Sequence, residues 1–259
     1  MNGRDRSPAS KGQLNPDATP PVHRYPAPAD LTDTVRHFWV PEWDLPPGIR
    51  VTARVLGYPA LNLVVEEHAV IVSGPTSRAS ERVLEGRGWA VGALLHPAAT
   101  LALGYDGTAL LDRVELLDDP ALVGEVTGAM AAGRETGCAA LAAWLRAALA
   151  PVPPHGLLAN RALALVEEDT AITRVADLAA RLHVTPRTLE RAVRRCTGFT
   201  PAEMLRRRRL QAATDRLVRE PASDLTAVAA ETGYADHAHM TREFRSTIAE
   251  PPSRFRGSS

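Results

Sequence analysis

One pattern of residues occurs twice in the last hundred positions of this 259-residue chain, and it constrains the fold more than any other feature. Val175-Ala176-Asp177-Leu178-Ala179-Ala180-Arg181-Leu182-His183-Val184 is matched at an offset of 50 by Leu225-Thr226-Ala227-Val228-Ala229-Ala230-Glu231-Thr232-Gly233-Tyr234. Past the turn, Leu189, Arg191 and Val193 correspond to Met240, Arg242 and Phe244, now at an offset of 51. The repeat reads as two helix-turn-helix units, one with a turn longer by a single residue.

In the first unit Val175, Leu178, Ala179 and Leu182 recur at i, i+3, i+4 and i+7 and make one apolar face. Val184 plugs the turn, Thr185-Pro186 supplies a cap and a preset first turn, and Leu189, Ala192, Val193 and Cys196 point inward on the next helix. Its outward face collects Arg187, Glu190, Arg191 and Arg194, with Thr185 and Thr188 beside them at the helix start. Arg bonds bidentately to guanine and Glu accepts from cytosine, and the major groove admits a helix. The bland alternative is a solvated helix held by Glu–Arg pairs.

In the second unit Leu225, Val228, Ala229 and Thr232 repeat the inward face, Gly233 provides the turn, Tyr234 the plug and Asp236 the cap. Met240 and Phe244 point inward, whereas His237, Ala238, Thr241, Arg242 and Arg245 point outward. His237 and His239 diverge by about 200° on a helix, so they do not converge on one metal, and neither metal nor cofactor is expected. His237 reads instead as a polar or phosphate-contacting residue. A long helix, 201–219, joins the units and contains Arg206-Arg207-Arg208-Arg209. Four consecutive arginines spread around a helix, so some must face the core side or pair with acids such as Asp215 and Glu203. At about 1.5 Å per residue the helix is roughly 28 Å long, close to one DNA turn.

Charge follows the repeat. Residues 156–259 hold 17 Arg against 13 acids, +4, and residues 1–155 hold 13 bases against 17 acids, −4. Lys11 is the only lysine, so the placement of arginine on a helix face carries more weight than its abundance. Two cysteines, Cys138 and Cys196, are too few for a disulfide framework, and Cys138 reads as a buried small residue or a redox sensor. No signal peptide pattern and no run near the roughly 20 apolar residues of a membrane span is present, so a cytoplasmic protein is expected.

The amino-terminal half predicts a different architecture. Residues 1–24 are polar and Pro-rich and are expected to form a mobile tail before a domain at 25–150. Runs 35–43, 49–58, 61–72 and 87–95 read as strands of a small barrel or sheet. Helices are then expected over 122–132 and 136–149. In the second, Leu141, Trp144, Leu145 and Leu149 form a stripe that faces either its own core or a second copy. Pro151-Val152-Pro153-Pro154-His155-Gly156 reads as a linker, and 157–259 as an all-α domain. The fold class expected is thus α+β with two domains. His23, His37, His68 and His96 are scattered, and there is no phosphate loop or nucleophile elbow, so no enzyme is expected. Two rivals stay open: a ligand-processing barrel enzyme with a regulatory tail, and an interaction adaptor that no longer binds DNA.

Gly233 to Arg245 followed by Pro252-Ser253-Arg254-Phe255-Arg256 resembles the signature of AraC/XylS-type transcription regulators, as do Thr185 to Arg191, Gly198, Pro201 and the Arg209-Leu210 to Ala213 spacing. The resemblance covers about 165–256. It implies two helix-turn-helix subdomains entering successive major-groove segments of double-stranded DNA, with Arg187, Glu190 and Arg191 reading bases in one and His237, Ala238 and Arg242 in the other. It further implies an amino-terminal domain, often cupin-like, that senses a small-molecule effector or forms a homodimer, and contact with RNA polymerase if the protein activates. Ala249 stands where a Gly is usual, Ala192-Val193 where an aromatic is common, and Met240 where Phe is usual. Tyr25 to Pro28, Val35 to Trp39 and Leu84 to Pro97 resemble a poorly characterised regulator domain.

Overall fold

A computed structural model describes residues 14–15 and 19–255. Its amino-terminal part contains β1 (Val22–Pro26), β2 (Val35–Asp44), β3 (Arg50–Leu56), β4 (Asn62–Glu66), β5 (Ala69–Ser73), β6 (Ala79–Glu85), β7 (Arg87–Leu95) and β8 (Val114–Leu117). Six of these form an antiparallel sheet in the order β1-β2-β7-β4-β5-β8, and β3 pairs with β6 as a separate ribbon. The barrel-or-sheet expectation therefore resolves to an open sheet, whose ends β1 and β8 do not pair with each other.

Alternation along the strands explains the core. Phe38 and Val40 of β2, Leu63 and Val65 of β4, Val70 and Val72 of β5, and Val91 of β7 turn to one face and are buried. Against them pack α3 (Pro120–Met130) and α4 (Arg134–Ala148), whose Leu122, Val126, Leu141 and Leu145 are almost wholly buried. Each such leucine stabilises the fold by about 1.5–3 kcal/mol. The stripe on α4 thus faces its own sheet, and Leu141 and Leu145 are not available to a second copy. Asp119 starts α3 as expected: its carboxylate accepts from Leu122 N at 2.9 Å and from Trp144 Nε1 at 2.8 Å.

The carboxyl-terminal part comprises α5 (Pro154–Glu168), α6 (Val175–Arg181), α7 (Pro186–Thr197), α8 (Pro201–Arg219), α9 (Leu225–Glu231) and α10 (His237–Ile248). Two cores lie here. Met204 and Leu205, early on α8, join Leu178, Leu189 and Val193 in one, and Leu210, Ala213 and Leu217 join Val228, Met240 and Phe244 in the other. One continuous helix is therefore shared between two small units, which fixes them to each other. Among the described residues no helix is long and apolar enough to cross a membrane.

Several boundaries differ from expectation. Val22, His23 and Arg24, placed in the tail expected over 1–24, pair in β1 with Pro41, Val40 and Trp39. Leu14 is 6% exposed, its N–H donates to Arg54 O, and Asn15 Nδ2 donates to Thr52 O at 2.7 Å. Residues 1–13 and 16–18 of that expectation lie outside the described residues. The expected linker is shorter, since Pro154 is the first residue of α5, a position where its missing N–H costs nothing. The single run 61–72 is two strands turning at Glu67-His68. Also unforeseen are β1, β6, β8, α1 (Pro97–Ala102) and the short α2 (Gly107–Leu110).

Candidate nucleic-acid interface

The two repeats fold alike down to single hydrogen bonds. In the first, Val184 N donates to Ala179 O at 3.0 Å and His183 N to Ala180 O at 3.1 Å; in the second, Tyr234 N donates to Ala229 O at 2.9 Å and Gly233 N to Ala230 O at 3.2 Å. These bonds close the turn with a residue in the left-handed region, His183 at φ 54° and Gly233 at φ 79°. Side chains then start the second helix of each unit. Thr185 Oγ1 accepts from Thr188 N at 3.1 Å, and Asp236 Oδ1 accepts from His239 N at 2.6 Å. That bond, and the nearby Arg242 charge, hold the Asp236 carboxyl below the usual carboxylate range.

The inward set is as read from the sequence: Leu189, Ala192, Val193 and Cys196 on α7 and Met240 and Phe244 on α10 are buried. The outward set is free. Arg187, Glu190, Arg191 and Arg194 on α7, and His237, Ala238, Arg242 and Arg245 on α10, are exposed, as is Thr185, whereas Thr188 and Thr241 are partly covered. Among the described residues none of these arginines takes part in an ion pair, and Glu190 pairs with none of them. A helix held together by its own Glu–Arg pairs is thus not what α7 shows. The threonines are less free than the arginines. Thr185 and Thr188 hydroxyls lie 2.9 Å apart, and Thr241 Oγ1 is 3.3 Å from His237 Nε2. His239 is partly covered, edge-on to Tyr234 at 5.4 Å between ring centroids, so the two histidines occupy different surroundings.

The arginine quartet of α8 has a structural role that the sequence left unassigned. Arg207 donates to Gly57 O at 2.6 Å and Ser77 O at 3.1 Å, and lies 4.6 Å over the Phe199 ring. Burial lowers its pKa to about 10. Arg208 donates to the carbonyls of Val166, Asp169 and Ile172, closing the end of α5. Arg209 lies 5.7 Å over the Tyr234 ring, and Arg206 is exposed. Backbone carbonyls and rings thus hold Arg207, Arg208 and Arg209, and Glu203 lies in electrostatic reach of Arg206. Glu203 also closes a capping box with Thr200.

Sequence reasoning also missed the contacts from the amino-terminal part onto the carboxyl end of α7. Thr100 Oγ1, at the α1 midpoint, donates to Cys196 O at 2.8 Å, and Thr108 Oγ1 of α2 donates to Arg194 O at 3.3 Å. Gly107 and Gly198 meet backbone to backbone, since a Cβ on Gly198 would sit 2.6 Å from Gly107 O. On α10 the corresponding end is reached from β3, where Arg54 donates to Ile248 O at 3.2 Å and Glu250 at 2.9 Å. No local sequence signal encodes such partners, which are about 100–200 residues apart in the chain.

Residues 178–258 match a helix-turn-helix domain family, and residues 23–114 match a domain family of unknown function. A curated relative, the HTH-type transcriptional activator RhaS of Pectobacterium carotovorum subsp. carotovorum (strain PC1), is 35% identical over 79 residues, covering 30% of this chain and 28% of that protein. The chain thus spans under a third of that relative's length. Similar solved structures include a probable AraC family transcriptional regulator from Rhodopseudomonas palustris CGA009, at 25% identity, TM-score 0.34, 38% of this chain and 93% of that one. Another is ToxT from Vibrio cholerae O395, at 11% identity, TM-score 0.47, 84% of this chain and 97% of that one. Over residues 178–258 the chain is thus similar to a helix-turn-helix domain family.

Proposed function

We propose that this protein is a sequence-specific DNA-binding transcription regulator whose helices α7 and α10 enter successive major-groove segments. One observation carries the reading: two scaffolds closed by the same turn hydrogen bonds each hold out a face of exposed arginines free of ion pairs, and the outward residues differ between them. Arg187, Glu190, Arg191 and Arg194 read one segment, and His237, Ala238, Arg242 and Arg245 the other, so the bases recognised differ and the half-site is asymmetric. Thr185, Thr188 and Thr241 serve the backbone approach at the helix starts, where N–H groups favour phosphate. The exposure of both faces weighs against an adaptor whose reading surface is covered by the other domain. The amino-terminal domain senses an effector or brings two copies together, and RNA polymerase is a partner if the regulator activates.

The test is binding to the promoter region of its own gene across a salt titration. Specific binding tighter than about 10⁻⁶ M, falling steeply with salt, is expected. Indifference to sequence sinks the reading. Arg191→Ala and Arg242→Ala should each cost about 1–3 kcal/mol and relax preference at different positions of the site.

A further inference from the structure

A cavity of about 140 Å³ lies between the sheet and the carboxyl-terminal half of α4, walled by Leu63, Val72, Leu95, Leu103 and Trp144, with Tyr105 among its lining. Its walls are mostly hydrocarbon, Asn62 among them accepting from Trp39 Nε1 through its Oδ1, and apolar cavities of about 150 Å³ admit benzene. Two polar groups give it direction. The Tyr105 hydroxyl has no hydrogen-bond partner among the described residues, and Glu115 of β8 is exposed, in electrostatic reach of that hydroxyl, and unpaired among them. A carboxylate in reach of that hydroxyl repels anions, while the phenolic hydroxyl donates to or accepts from a neutral polar substituent.

The position of the cavity matters as much as its lining. Leu103 and Tyr105 belong to the connection between α1 and α2, and these are the two short helices whose Thr100 and Thr108 hold the carbonyls of Cys196 and Arg194 at the end of α7. Gly107, two residues past Tyr105, is the residue in backbone contact with Gly198. Anything that moves the 103–106 connection moves the grip on the first reading helix.

We propose that this cavity binds a small neutral aromatic molecule of one ring, and that occupancy is felt at the carboxyl end of α7 through α1 and α2. The second half rests on α7 being a reader of DNA; the first does not, because binding to the cavity is measured without DNA. A ligand shifts the helix only by as much as it prefers one position of the 103–106 connection over another.

Thermal unfolding of the full chain with toluene, p-cresol and benzoate as probes tests the cavity. Toluene and p-cresol should raise Tm in a saturable way and benzoate should not. Leu103→Trp, which fills the space, should abolish both shifts. Tyr105→Phe should weaken p-cresol at least threefold and leave toluene unchanged, which keeps the proposal testable if the tryptophan variant fails to fold. Absence of a saturable shift with either neutral ring, or benzoate equal to p-cresol, overturns the assignment. Hydrogen exchange at residues 194–198, followed with and without toluene, tests the coupling: altered protection there supports it, and protection unchanged at saturating toluene overturns it. Loss of DNA binding in a separate assay would strike the regulator reading and leave the Tm result standing.

Discussion

His183 and Ala249 are non-glycine residues held in left-handed backbone, at φ 54° and 63°, and the repeat shows what each replaces. The second unit has Gly233 where the first has His183, and the first has Gly198, at φ 71°, where the second has Ala249. Each unit thus keeps one glycine and has lost the other. The usual glycine near the chain's end is absent, and the alanine takes up the glycine's conformation rather than altering the turn. A Cβ in this region costs about 1–2 kcal/mol, partly offset by the greater unfolded-state freedom of glycine. His183→Gly and Ala249→Gly should therefore each stabilise the protein by about 0.5–1 kcal/mol, read as a higher urea midpoint with an unchanged slope. Gly198→Ala should do the reverse by about 2 kcal/mol or more, because its new methyl would meet Gly107 O. The cysteines admit a simpler check. Burial pushes both thiols up to about 12, so neither Cys138 nor Cys196 should react with a disulfide reagent at pH 8 until the chain is unfolded. Prompt labelling of Cys138 in the native protein would restore a redox role.

At the scale of elements, helices were more legible than strands. The 3.6-residue periodicity and the caps at Thr185 and Asp236 are local, and α7 and α10 lie where they predict. The ribbon strand β6 is not local in this sense. Ala79-Ser80-Glu81-Arg82-Val83-Leu84-Glu85 has almost nothing to bury, and Arg54–Glu81 at 3.0 Å and Arg50–Glu85 at 2.8 Å align it with a strand about thirty residues earlier. Likewise β4 and β5 read as one run because Glu67-His68 contains neither Gly nor Pro. The exposed reading faces were legible for the opposite reason, since they are what remains once the inward positions are assigned. Strand β2 carries a testable pH dependence that the sequence concealed. Burial, with Arg24, Arg36 and His96 nearby, lowers His37 to about 4, and burial lowers His96 in the same direction. Between the unfolded value of about 6.5 and about 4, the unfolded chain binds protons that the folded chain refuses, so stability falls as pH drops through that window. His37→Gln should flatten this acid slope in Tm measured between pH 7 and 4.5. A slope unchanged by the substitution would assign it to other groups.

Across the whole molecule, the amino-terminal domain grips α7 and α10 at the same end. Thr100 and Thr108 hold carbonyls of Cys196 and Arg194 on α7, and Arg54 holds that of Ile248 on α10; 197 and 248 are equivalent positions of the repeat. Leu14 and Leu56 from the same domain complete the core of the second unit. The amino-terminal halves, with Arg187, Arg191, His237 and Arg242, are left projecting. If α7 and α10 read DNA as proposed, specific binding requires both helices to meet the groove in register, and a body that touches both can set their spacing beyond what α8 sets. Arg54→Met tests this directly. It removes the hydrogen bonds to Ile248 O and Glu250, and the one to Glu81 within the ribbon, while keeping an apolar stem, and loss of bonds from a charged donor costs about 1.5–3 kcal/mol. Part of that loss should appear as about tenfold weaker specific binding, equivalent to about 1.4 kcal/mol. The slope of log affinity against log salt should not change, because the lost cation faces α10 and not a phosphate. A shallower slope would place Arg54 on the DNA, and unaltered affinity would mean that α8 alone fixes the distance between the two readers.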